Sequence, residues 1–449
     1  QYALLQALPA GLAARARGLL SDAPRERFYR KGQAATRNLV ALKMRELTQD
    51  AARTLYYFVD SDQHFCVNRQ TPQGEEAVHA LNYFHALDHV FRTTDTAVLT
   101  GKLVGDPPVS PSVMAANFLD DVTAFLARLA TLRPDAACAF HLQGALPGHA
   151  AYHDLAALFG VAPDAGTFPY RCRLTGRHDH RACLADFAAR LDAFFFGEHL
   201  TRKTWFSYGD GLTRLALART IYPGNYVVNA AGLGYPIPFG HLRLRMSGPT
   251  AGRLIAAEIG TRFAACNLPN LHRRTLEDDA QAGFRPGVAR AADGATIDLG
   301  DEFERQFFGD LLLFTSEELV READVTRPFP PAQIESVLAR KENQLLALYQ
   351  QKHAAIGAQN ARLRALVLAP GQWWHDTPAL ADAIGALDAF LANIEHNFGE
   401  DSTAWRQIQS AAHRARRKRQ IAEALLDYQA EREAWEALLQ VQAGLSIGV

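Results

Sequence analysis

The run Leu55-Tyr56-Tyr57-Phe58-Val59 is β-branched, aromatic and aliphatic throughout, the composition of a buried strand. It stops abruptly at Asp60-Ser61-Asp62. Two carboxylates one residue apart at the end of a buried strand are costly unless positive charge sits between them. A hard divalent cation, Mn2+ or Mg2+, meets that need because it takes oxygen ligands and commonly brings substrate phosphates as the rest of its shell. The competing reading is a solvated turn. No other stretch constrains the fold as strongly: the remaining segments have to supply a sheet that ends on this pair.

The segments before it do fit. Residues 1–20 read as helix, interrupted only at Pro9 and Gly11, and Arg25 to Tyr29 read as a short strand. Lys31-Gly32-Gln33-Ala34-Ala35-Thr36-Arg37-Asn38 then opens an amphipathic helix, LVALKMREL. Free backbone N–H groups, Gly32, a hydroxyl and the basic side chains of Lys31 and Arg37 converge at that start, which suits a diphosphate. An ordinary helix entrance is the alternative.

Taken together, KGQAATRN and LYYFVDSDQ resemble the G-x-x-x-A-R-N and FLDxD segments of GT-A-fold glycosyltransferases, the nucleotide-sugar-dependent class. The likeness is close over about the first 70 residues and extends over the next 200 or so only in the order of elements. It implies an α/β fold, a GT-A-like mixed sheet flanked by helices, and a nucleotide-sugar donor whose diphosphate is bridged by a metal on Asp60 and Asp62. Lys31, Gly32, Arg37 and Asn38 would then lie near the nucleotide. The family carries a first strand and nucleotide-binding loop well before this segment. Here about thirty residues precede it, so the base is left undetermined.

Further along, EEAVHALNYFHALDHVF reads as helix, AVLTGKLV as strand, and Gly105-Asp106-Pro107-Pro108-Val109-Ser110-Pro111 as a stiff loop that either shapes a pocket or merely turns the chain. The helix VMAANFLDDVTAFLARLA follows. His149 and His153 stand four apart but lack the Glu of a metalloprotease helix, so no metal is expected there. Cys172, His178, His180 and Cys183 lie close enough for zinc, yet without a Cys-x2-Cys knuckle an ordinary loop is expected.

The Gly-, Pro- and aromatic-rich residues 205–240 suit a cleft-lining loop. LRLRMSGP reads as a basic strand and a helix cap at Thr250, then TAGRLIAAEIG as helix and RFAACNLP as strand. By the resemblance, His272 after that strand is a third metal ligand. Arg273 and Arg274 would neutralise the leaving diphosphate, and Arg243 and Arg245 would face an anionic or hydroxylated acceptor. The candidate catalytic residues are therefore Asp62, Arg273 and Arg245. Inverting members place a carboxylate base just before that helix, but Tyr222 to Ala257 contains no Asp or Glu. A retaining transferase follows, similar to the mannosylglycerate and glucosylphosphoglycerate synthases. Asp210 and Asp310 are the other acids the fold could bring in, and Glu258 is expected to face solvent or pair with Arg262.

Residues 276–305 read as a loop that closes over the donor, and FFGDLLLF as core. Arg327-Pro328-Phe329-Pro330-Pro331 marks a boundary between a catalytic domain, 1–326, and an all-helical C-terminal region, 332–449, docked by Trp373, Trp374 and Trp405. Helices this long pack on the catalytic domain or on a second copy, which suggests a homodimer. Lys+Arg 47 against Asp+Glu 48 gives no footprint for nucleic acid, and HRARRKR (413–419) is mainly a solvated helix face. Five scattered cysteines argue against a disulfide framework, and with no apolar run of about 20 residues and no signal peptide the expected setting is cytoplasmic. Two other classes compete. A sugar-1-phosphate nucleotidyltransferase would need a Gly-rich triphosphate loop, which is not visible. A scaffold built on the basic tail would not need carboxylates at a strand end. The acceptor is a small molecule or glycan hydroxyl.

Overall fold

The computed structural model describes residues 2–21, 23–71, 74–141, 152–159, 166–207, 211–221, 224–273, 287–292 and 294–445. Two helices open it, α1 (Tyr2–Ala7) and α2 (Ala10–Leu20), separated where Pro9 cannot continue the first. Arg25–Arg30 is a 3-10 turn, not the expected strand: Arg25, Glu26 and Arg27 are all exposed, so there is no alternating face for a sheet to bury. Helix α3 (Gln33–Leu47) follows Gly32, whose φ of 86° favours glycine.

Strand β1 (Tyr56–Val59) leads to β2 (Gln63–His64) and the hairpin β3 (Val67–Thr71) and β4 (Gly74–Val78). That hairpin absorbs the EEAV expected to begin a helix. Helix α4 (Tyr83–Thr93) starts instead where the Asn82 side chain accepts from the backbone of His85, satisfying an otherwise orphaned N–H. Next come β5 (Val98–Gly105), α5 (Ala115–Ala130), α6 (His180–Ala189), β6 (Ala216–Leu217), β7 (Asn225–Val228), α7 (Ser247–Ile259) and β8 (Phe263–His272). The small hairpin β9 (Ala289–Arg290) and β10 (Ile297–Asp298) precedes α8 (Glu302–Glu322). The tail is α9 (Pro331–Leu368), α10 (Ala381–Phe398), α11 (Thr403–Gln409) and α12 (Ala411–Leu445).

The sheet is mixed, in the order β1-β7-β5-β8-β2 with β6 also on β8. β7 runs antiparallel to both β1 and β5, and β8 runs parallel to β5. β1, β5 and β8 therefore point the same way, and Val59, Gly105 and His272 end at one edge. Alternation sorts the side chains. Tyr56, Phe58, Tyr226, Val228, Val98 and Phe263 face a core with α2, α3 and α7, while Leu99, Val227, Ala264 and Leu268 face α4. β1 lies at the edge of the sheet and alternates buried and half-buried residues; Leu55 is exposed and outside it. The buried strand expected from its composition is thus an edge strand that alternates buried and half-buried residues, because its aromatics need cover on only one face.

A second core joins α5 and α6 to α8 through α12, with Phe118, Phe194 and Phe390 in mutual contact across the expected boundary. Trp373 Nε1 donates to the Leu129 carbonyl at 3.3 Å, and Trp405 stacks on His353 at 3.8 Å. Helix α12 also reaches the sheet side, where buried Trp435 donates to the Leu233 carbonyl. Most apolar residues of α9 and α12 are thus covered within one chain, while Leu368, Leu426 and Val441 stay exposed. The basic run is consumed in the same packing: His413 and Arg417 pair with Glu304, and Arg414 and Lys418 with Glu342, leaving Arg416 and Arg419 exposed. Residues 276–286 and 293 of the expected donor loop lie outside the described residues. The rest is the β9–β10 hairpin, docked on α10 through the Asn393 and Asn397 side chains, and the first turn of α8. No described helix is long and apolar enough to cross a membrane.

Candidate functional site at the carboxyl edge of the sheet

The sheet edge collects residues from distant parts of the chain. Asp60 leaves β1 and is met by Arg37 from α3, whose Nη2 donates to both carboxylate oxygens at 2.7 and 2.9 Å. Gln33 from the first turn of the same helix donates to Asp60 Oδ2 at 3.3 Å. Asp62 lies next to His272 at the end of β8, with Oδ2 3.3 Å from Nε2. Its backbone carbonyl accepts from Arg273 N at 3.0 Å, and Gln63 pairs with His272 across β2 and β8. His272 is itself buried, and its Nδ1 lies 2.8 Å from the Asp106 carbonyl just after β5. Three codirectional strand ends are therefore linked by Asp60, Asp62, Asp106 and His272.

This geometry corrects part of the electrostatic expectation. The Asp60 side chain is 35% exposed and Asp62 32%, so their desolvation is partial, because β1 is an edge strand. The positive charge beside Asp60 is a guanidinium of the chain itself. Asp62 and His272 are brought together as expected of a metal-holding pair, whereas Asp60 has both oxygens on Arg37. His272 is the last residue of a strand and not part of a following loop.

The other expected site residues divide. Lys31 is buried immediately before Gly32, and burial lowers its pKa. Adding a Cβ at Gly32 would meet nothing within 4 Å, so that glycine is there for its backbone angle. Asn38 does not face the edge. Its side chain is a buried bracket that donates to the Leu19 and Ile237 carbonyls and accepts from Ile237 N. Arg245 pairs with Glu302 at 2.9 Å, and its backbone bonds to Arg305, so α8 holds it. Arg243 is in a left-handed turn with φ 53°, not a basic strand. Thr250 lies inside α7 and bonds back to Met246 O instead of capping the helix. Glu258 pairs with Arg432 of α12, not Arg262. Asp310 is buried between Tyr349 and Gln306, where desolvation pushes its pKa up to about 6. Asp210 and Arg274 lie outside the described residues.

Residue patterns alone did not reveal three participants. The Asp106 carbonyl orients His272, Gln33 supports Asp60, and Lys203 braces the loop by pairing with Glu75 at 2.9 Å and Asp106 at 3.4 Å. Burial opposes the Lys203 charge, but the Asp106 and Glu75 carboxylates outweigh it and hold the ammonium above its ordinary pKa. The signal for Asp106 was its place right after a strand that ends at the same edge.

The cysteine and histidine patterns divide as well. His149 lies outside the described residues. His153 accepts from Leu155 N, and burial followed by the nearby Lys352 holds its pKa down to about 3. His180 is buried and lies 2.6 Å from the Arg133 carbonyl and 3.1 Å from Ala139 N, so it is structural. Cys172 and His178 instead join Cys138 and His141, with their four ligand atoms all within 4.8 Å of one another. Among the described residues no other group of three or more such side chains is so close, so Asp60, Asp62 and His272 do not converge on one point as they stand. Comparison with known proteins finds no matching family model, no matching curated protein and no matching solved structure.

Proposed function

We propose that the chain is a metal-dependent glycosyltransferase with a GT-A-like catalytic region, which transfers a sugar from a nucleotide-sugar donor to a hydroxyl acceptor with retention. One observation carries the reading: an Asp62 carboxylate and a His272 imidazole 3.3 Å apart where codirectional strands end. In open α/β sheets, ligands bind outside the carboxyl ends of strands. If His272 Nδ1–H donates to the Asp106 carbonyl, Nε2 turns its lone pair toward Asp62, and two acceptors face each other unless a proton or cation lies between them. Adjacent ligands on a cation with bonds of ~2.1 Å stand ~3 Å apart, so the pair fits Mn2+ or Mg2+. The imidazole favours Mn2+. Asp60 does not fit as a ligand while Arg37 bridges its oxygens, so it is assigned to positioning Arg37 and the start of α3.

A metal held by Asp62 and His272 would supply Lewis-acid stabilisation of the leaving diphosphate. The chain's own contribution is the free N–H groups at the α3 start beside Gly32, the Lys31 ammonium, and Arg273 directly after His272. Transfer breaks the bond between the anomeric carbon and the diphosphate oxygen and makes one to the acceptor oxygen. The acceptor proton goes to the departing diphosphate oxygen on the same face. The absence of any acid between Tyr222 and Ala257 and the burial of Asp310 against Tyr349 support that assignment. The test is hydrolysis of UDP-, GDP-, ADP- and CMP-sugars with Mn2+ and after EDTA. The expected result is turnover of one nucleotide class that stops on chelation and returns with Mn2+. Pyrophosphate release from a nucleoside triphosphate and a sugar 1-phosphate would replace the reading with nucleotidyl transfer, and neither reaction would overturn it.

A further inference from the structure

We propose that Cys138, His141, Cys172 and His178 form a structural zinc site, separate from the sheet edge and independent of the glycosyltransferase reading. Cys172 Sγ lies 3.2 Å from His178 Nε2, and His141 Nε2 lies 3.3 Å from the same nitrogen. Around a tetrahedral zinc with Zn–S of ~2.3 Å and Zn–N of ~2.0–2.1 Å, sulfur and nitrogen ligands stand ~3.5 Å apart and two nitrogens ~3.3 Å. The side chains are thus spaced nearly as the metal would space them.

The surroundings favour ligation over a chance cluster. His178 Nδ1 is 3.1 Å from the Gly176 carbonyl. With that N–H donated, the lone pair of Nε2 points toward Cys172 and His141, the arrangement in which a carbonyl orients a ligating imidazole. The backbone holds the two ligand pairs side by side: Cys138 N donates to the His178 carbonyl and Cys172 N to the Phe140 carbonyl, each at 3.0 Å, and Ala137 bridges Asp179. Phe140, Phe125 and Tyr170 form an aromatic wall nearby, while His141 is exposed and leaves a path for the ion. Two thiolates and two imidazoles suit zinc better than Mn2+ or Mg2+. Four protein ligands leave no open position for chemistry, which makes the site structural.

The spacing is Cys-x2-His followed, thirty residues later, by Cys-x5-His. Metal binding would clamp the stretch that follows α5 to the stretch that enters α6, closing both ends of the segment between them. Cys183, fully buried in the first turn of α6, is a neighbour of Cys172 and Cys138 and not one of the four ligands.

The test is metal content of the intact chain, prepared with added zinc and a reductant, then desalted and measured by plasma mass spectrometry. One zinc per chain is expected. Cys172→Ser and His141→Ala should lose it, and Cys183→Ala should keep it. Because His141 is exposed, its variant should fold, checked by near-UV circular dichroism. Cobalt substitution of the unaltered chain is a readout that needs no variant: the visible bands of tetrahedral, thiolate-bound cobalt are expected, and zinc should bleach them. A chain that holds no zinc and shows no such bands overturns the proposal. So does zinc that survives both Cys172→Ser and His141→Ala, or that is lost equally in Cys183→Ala.

Discussion

Asp62→Ala separates the role of Asp62 from that of Asp60. The Asp62 side chain is 32% exposed and His272 3%, so their pair is partly screened and contributes about 1 kcal/mol or less without metal. A ligand at a hundredfold excess over its Kd stabilises the folded state by ~2.7 kcal/mol. Unfolding entropy of ~2.1 cal/mol/K per residue, applied to 449 residues unfolding together, converts that into a Tm rise of ~3 °C. The same arithmetic makes the metal-free cost of Asp62→Ala ~1 °C or less. Differential scanning fluorimetry with Mn2+ and the nucleotide-sugar panel should therefore show a rise of a few degrees in the unaltered chain and none in Asp62→Ala. Asp60→Asn should keep the metal-dependent rise, because Arg37 already occupies both Asp60 oxygens, while lowering the metal-free Tm. A full rise in Asp62→Ala, or its loss in Asp60→Asn alone, refutes the reasoning.

Three further outcomes follow from particular contacts. Gly105 has φ 89°, and a Cβ there would lie 2.5 Å from the His272 carbonyl oxygen; Gly105→Ala should cost about 1–3 kcal/mol and abolish the Mn2+ response, measured by urea unfolding and the same fluorimetry. Asp121 is fully buried and accepts from Arg202 Nε and Nη2, Thr201 Oγ1 and Phe168 N; Arg202→Leu should cost about 3–5 kcal/mol in urea unfolding, and a loss below ~1 kcal/mol would contradict it. Desolvation, then Asp427, raises the Glu431 pKa from 4.5 to about 8, with His241 3.7 Å away. The folded chain keeps that proton after the unfolded chain has released it, so this group's contribution to stability falls as pH rises from about 4.5 to about 8. Glu431→Gln should flatten that part of the profile in urea titrations taken across it.

Much of the architecture is legible in local pattern. The run ending at Val59, the strand at Val98, the helix after Met246 and the long tail helices each carry their period within a dozen residues, and neighbouring backbone geometry sets that period. The aromatic run of β1 reads equally well as a central or an edge strand, because composition does not say how many faces are covered. EEAV reads as the start of a helix because nothing local shows its pairing partner on β3, and the helix that follows begins only at Tyr83, capped by Asn82.

The site residues show the same division. Asp60-Ser61-Asp62 sets two carboxylates at a strand end, and that much is a property of the chain alone. Which groups meet those carboxylates is not: Arg37 reaches Asp60 from an earlier helix, and His272 is set beside Asp62 because Gln63 pairs with it across β2 and β8. Cys172 and His178 are visible as neighbours in sequence, but their companions are Cys138 and His141, not the nearer His180 and Cys183. Local periodicity is written in adjacent residues. Ligand sets and ion pairs depend on distances across space, and only the packing of the sheet and its helices determines those.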